Sequence, residues 1–125
     1  MWTRRLDSAT TVLTPFGDGA AIDVLLEGAP EQLAAIHVTV KGGARMPEHD
    51  HGESDALLIP LTGQLILRGN VTEAQLTSGV IAFVAAGERV SVENPTTATA
   101  SMIVCFAPAS FVHALRQLGS TDADE

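Results

Sequence analysis

Short apolar runs, each closed by turn residues, recur along most of this chain and constrain its fold more than any other feature. Ile22-Asp23-Val24-Leu25-Leu26 stops at Gly28-Ala29-Pro30, and the β-branched run Ile36-His37-Val38-Thr39-Val40 stops at Gly42-Gly43. Leu57-Leu58-Ile59 with Leu61 leads to Gly63, and Gln64-Leu65-Ile66-Leu67 leads to Gly69-Asn70. Val80 to Val84, Val90-Ser91-Val92 and Ala100 to Phe106 complete the series. Runs of this length and spacing predict an antiparallel sandwich or barrel, because the three-and-four apolar spacing of long helices is missing. One helix is expected over residues 109–119, with Ser110 as its cap, Phe111, Val112, Ala114, Leu115 and Leu118 on its apolar side, and Gly119 as its stop.

A chain of 125 residues suits one domain, with a core expected over about residues 18–107. No apolar run is long enough to cross a bilayer, and Met1-Trp2-Thr3-Arg4-Arg5 lacks the apolar stretch of a secretory signal, so a soluble, cytoplasmic protein is expected. The net charge of −8 argues against a nucleic-acid or anionic-membrane partner, either of which needs a basic patch. Cys105, the single cysteine, excludes an internal disulfide and reads as a small buried hydrophobe. With no tyrosine in the chain, tyrosine-based proton transfer is excluded.

Chemistry concentrates in Gly42-Gly43-Ala44-Arg45-Met46-Pro47-Glu48-His49-Asp50-His51. In a regular strand, residues i and i+2 share a face, so His49 and His51 project together and their rings converge. Arg45 has the same parity, which would carry its guanidinium into the same cavity, ready to fork a carboxylate or phosphate. Glu48 alternates with His49 and points away in an undistorted strand.

These residues resemble the cupin superfamily of small jelly-roll β-barrels. Gly43, then five residues, then His49 and His51, with Gly63 closing the segment, is similar to the first cupin motif. Gly79, Gly87 and Asn94 stand at the spacings of the second. The resemblance implies an all-β cupin barrel with a short C-terminal α-helix. It also implies a four-ligand metal site, and here the chain departs from the pattern. The family glutamate falls on Ala56, the second-motif proline on Ala85 and the second-motif histidine on Val90.

Two readings stay open. In one, a small bulge turns Asp55 inward, and His49, His51 and Asp55 hold one divalent ion such as iron, zinc, manganese or nickel, with Glu53 and Glu48 as weaker donors. In the other, the histidines serve as hydrogen-bonding or acid–base groups in a metal-free pocket. His37 is expected as a partly buried structural residue, and His113 on the surface of the terminal helix. Met46 and Met102 are expected in the pocket wall or core, and Phe83 and Phe106 in the core. Val90 and Val92 are expected inside, with Arg89 and Glu93 on the solvated face.

The chain is therefore expected to bind a small organic molecule. It would act either as an enzyme of isomerase, cyclase, lyase or dioxygenase type, with His49, His51 and Arg45 as catalytic groups, or as a non-catalytic ligand-binding or sensor domain. A homodimer is expected, because an isolated barrel has sheet edges and an outer face to cover.

Overall fold

The computed structural model describes residues 1, 3–8, 10–12, 19–26 and 32–115. After a 3-10 turn at Leu6–Ser8 come β1 (Thr10–Val12), β2 (Ala20–Leu26), β3 (Ala34–Val40), β4 (Arg45–His49) and β5 (Asp55–Thr62). They are followed by β6 (Leu65–Arg68), β7 (Glu73–Leu76), β8 (Ala82–Val84), β9 (Val90–Glu93) and β10 (Ala100–Ala107). A short helix, α1, occupies residues 110–115; the rest of the expected helix, with Leu118 and Gly119, lies outside the described residues. The strands form a six-stranded sheet in the order β1-β2-β3-β10-β5-β8 and a four-stranded sheet in the order β4-β9-β6-β7. All recorded strand pairs are antiparallel. This is the expected jelly roll.

Alternation builds the core. In β3, Ala34, Ile36, Val38 and Val40 are buried, while Ala35, His37 and Thr39 are half-buried on the outer face. In β10 the buried set is Ala100, Met102, Val104 and Phe106. The four-stranded sheet answers with Met46, Leu65, Leu67, Leu76, Val90 and Val92. Each large side chain so buried contributes about 1.5–3 kcal/mol. Gly63 makes the β5–β6 turn at φ 74°, where an added Cβ would come within 2.7 Å of the Ala100 Cβ. The position therefore requires glycine on both counts.

Several expectations need correction. Cys105 is half-buried on the outer face of β10 rather than inside, because it alternates with Val104 and Phe106. Phe83 is 64% exposed: it lies on the edge strand β8, where the inward position belongs to Val84. The strands β1 and β7 have no counterpart in the sequence reading. No helix among the described residues is long and apolar enough to cross a membrane.

Candidate ligand site at the barrel mouth

The site is made by an irregularity in β4. Met46 lies opposite Val92 and His49 opposite Val90, so three steps along β4 match two along β9. One extra residue is accommodated between them, a β-bulge. Pro47 falls there, and having no N–H to give the ladder it suits an interruption of pairing. Met46 and His49 consequently both reach the interior, although an unbroken strand would put them on opposite faces.

Arg45 moves to the other side. It lies opposite Glu93 on the outer face and is exposed, so the inward placement expected from parity does not hold. The expected inward turn of Asp55 does not occur either. Asp55 is exposed at the start of β5, where Oδ1 accepts a hydrogen bond from Ala86 N at 2.9 Å, and Ala56 takes the buried position. Glu53 is exposed. Glu48 is exposed too and accepts from Arg89 Nε at 2.6 Å, with Asp50 3.4 Å from the same guanidinium.

His49 and His51 do come together. Their ring centroids are 5.1 Å apart at an interplanar angle of 77°. His49 is half-buried, and its Nδ1 lies 2.7 Å from Pro47 O. A carbonyl only accepts, so Nδ1 carries the proton and Nε2 is the basic nitrogen of the neutral ring. His51 is 6% exposed, and its Nδ1 finds no hydrogen-bond partner among the described residues. Burial first, and the neighbouring His49 second, push the His51 imidazole down from 6.5 to about 4 against an opposing pull from Asp50. At neutral pH the ring is uncharged.

Both imidazoles line a cavity of about 30 Å³ whose other walls are apolar among the described residues, including Met46, Leu58, Val90, Met102, Phe106 and Phe111. That space holds about one or two water molecules. The donor set does not fit the metal that the fold resemblance implies. His49 and His51 supply imidazole nitrogens, but Ala56 and Val90 are buried where further ligands would be needed, and Asp55 faces out. Among the described residues no group of three or more histidine, cysteine or carboxylate side chains gathers around a point.

The mouth is closed by α1. Phe111 packs edge-on to His51 at 5.0 Å and lies 5.1 Å from Phe106, and Leu115 also reaches the cavity. Ser54, fully buried, fastens this helix to the loop that carries His51. Its hydroxyl donates to Pro108 O at 2.6 Å and accepts from Phe111 N at 3.2 Å, with Ser110 Oγ at 3.4 Å. The sequence offers Ser110 as the cap; the residue that takes the Phe111 N–H is 57 positions away from it, and only the fold brings it there. His113 is half-buried and its Nε2 has no partner among the described residues, so it is less exposed than expected. His37 is half-buried on the outer face, 3.7 Å from Asp23, as a structural histidine should be.

No family model and no curated protein matches the chain. Solved structures do. A predicted oxalate decarboxylase from Thermotoga maritima superposes with a TM-score of 0.74 at 16% identity, over 86% of this chain and 99% of that one. An RmlC-like cupin from Shewanella frigidimarina gives 0.69 at 19% identity, over 82% and 86%. KdgF from a Halomonas species gives 0.65 at 17%, over 72% and 81%. Likeness at these identities shows the fold, and the fold is that of the cupins.

Proposed function

We propose that this cupin-fold chain is a small-molecule-binding protein whose site lies at His49 and His51 beneath α1, and that it works without a metal ion. The observation that carries this reading is His51. A buried imidazole nitrogen without a partner among the described residues is costly, and unlike His37 and His113, His51 lines a cavity in which a water or a ligand could supply one. Apolar walls with one or two convergent polar groups are the usual makeup of a ligand pocket.

The names of the structural neighbours transfer poorly. Oxalate is a dianion, and among the described residues no Lys or Arg lines this cavity, Arg45 lying outside it. Burying a carboxylate without a counter-charge costs several kcal/mol.

The test is a fragment screen by amide NMR on the full chain and on His51→Phe. Ligands are expected to shift the resonances of Met46, His51 and Phe111 and to weaken in the variant. A screen without hits at those residues, or hits indifferent to His51, would refute the proposal.

A second reading is supported by the His49 tautomer. With Nδ1–H given to Pro47 O, Nε2 is a base beside an apolar chamber, suited to lifting a proton from carbon in an isomerisation, cyclisation or dehydration. Loss of solvent deuterium exchange into a bound carbonyl compound on His49→Ala would support that chemistry. Unchanged exchange would remove it.

A second copy of the chain is the partner proposed for the edge of the larger sheet. Ile81 and Phe83, 63% and 64% exposed, stand at β8, whose outer side has no neighbouring strand among the described residues. Sedimentation equilibrium at a single monomer mass would overturn this.

A further inference from the structure

We propose that Phe111 is an internal plug standing where a ligand's ring binds, and that the ligand is a small, uncharged, planar ring carrying one hydrogen-bonding group. This rests on the reading of the His51 site given above.

The cavity as it stands is about 30 Å³, while a dry cavity that takes up benzene measures about 150 Å³. A ligand larger than a few atoms therefore enters only if a wall moves. Phe111 is the wall most able to move. It is half-buried, whereas Phe106 beside it is 1% exposed on a central strand. It belongs to the short α1, and the hydrogen bond from its own N–H to the Ser54 hydroxyl is the contact that must open for the helix to shift. Withdrawing one phenyl ring leaves a space shaped for a ring.

The place Phe111 occupies is already an aromatic box. Its centroid lies 5.0 Å from His51 at 84° and 5.1 Å from Phe106 at 38°, and His51 lies 5.2 Å from Phe106 at 63°. Aromatic pairs prefer these offset and edge-to-face arrangements, so a planar ring gains what the Phe111 ring gains. Phenylalanine does not offer a partner for His51 Nδ1. A ring whose hydroxyl or N–H reaches that nitrogen would, and that difference would favour the exchange. Among the described residues no Lys or Arg lines the cavity, and burial leaves His51 uncharged at neutral pH, so an ionised carboxylate finds no fixed counter-charge there.

The experiment uses the full chain, phenol, benzene and benzoate as probes, and Phe111→Ala beside wild type. In calorimetry, Phe111→Ala is expected to bind phenol at least about tenfold more tightly than wild type does, and to prefer phenol to benzene and to benzoate. In wild type, phenol is expected to speed amide hydrogen exchange over residues 111–115. That arm needs no substitution and holds even where Phe111→Ala fails to fold. Equal phenol affinity in the two proteins, equal affinity for benzoate, or helix amides unmoved by bound phenol would overturn the plug. Shifts at His51 with the helix still protected would overturn the plug alone, leaving the proposed function standing. Silence at His51 in both proteins with every probe would remove the two together.

Discussion

Acid should destabilise this protein through His51, by an amount its environment sets. The unfolded ring titrates near 6.5, and the folded ring is held down at about 4 by burial and by His49. Between those values the unfolded chain takes a proton that the folded chain refuses. Stability therefore rises with pH across that window: the contribution is whole above about 6.5 and is lost as pH falls toward about 4. The full gap is worth roughly 3 kcal/mol, and about 2 kcal/mol of it is gone by about pH 5. With 6% of the residue exposed, solvent screening removes little of this. Set against a typical total of about 5–15 kcal/mol, the loss is large.

The assay is urea unfolding of wild type and His51→Phe at about pH 7.5 and about pH 5. Phenylalanine keeps a ring against Phe106 and Phe111 and removes the titrating group. Subtracting the two proteins cancels the contributions of groups that the substitution leaves in the same surroundings. Wild type is expected to lose about 2 kcal/mol more than the variant on acidification. Equal losses, or a His51 ring that titrates near 6.5 by NMR, would refute the account of His51 as a buried ring held uncharged by its surroundings.

Three further outcomes are expected. Ser54→Ala leaves Phe111 N and Pro108 O without their partner, and should cost about 1–3 kcal/mol, seen first as faster hydrogen exchange in α1. Asn94→Ala should cost more, because this fully buried amide donates to Val40 O at 3.0 Å and to Ala98 O at 2.7 Å while accepting from Thr96 N at 2.9 Å; a drop of about 2–4 kcal/mol in urea unfolding checks it. Adding zinc, manganese or nickel, or chelating divalent ions, should leave the thermal midpoint of the purified chain within about a degree, since stabilisation of roughly 2–3 kcal/mol needs ligand near a hundred times its dissociation constant.

The legible part of the fold is the part with clean alternation. The strands β3 and β10 show in the sequence because, from Ile36 to Val40 and from Met102 to Phe106, every second residue is a large or β-branched apolar side chain, and both lie inside the larger sheet. The strand β7 does not show. Glu73-Ala74-Gln75-Leu76 is made of helix-favouring residues, and only Leu76 is buried. Its extended form comes from pairing with β6, from Leu65↔Leu76 to Arg68↔Glu73. Phe83 misleads for the opposite reason: its side chain is that of a core residue, but the edge place of β8 is decided by sheet order, which no local pattern records.

The site shows where reasoning from period two breaks down. His49 and His51 meet as expected, but Arg45 and Asp55 do not join them, and each miss has a local cause. At Arg45 the count is right and the strand is not regular: the bulge beside Pro47 exchanges Arg45 for Met46 at the cavity wall. At Asp55 the bulge that would have turned the carboxylate inward is absent, so Ala56 faces in and Asp55 secures the Ala86 N–H instead. The consequence is chemical. With Arg45 and Asp55 inside, the chamber would be charged, fit for an anion or a divalent ion. With Met46 and Ala56 in their places it is apolar, and the imidazoles are its polar contribution. A single extra residue in one strand thus keeps the Arg45 cation out of the chamber, and Pro47, with no N–H to hold the ladder in register, is the residue in this sequence that marks where the exchange with Met46 happens.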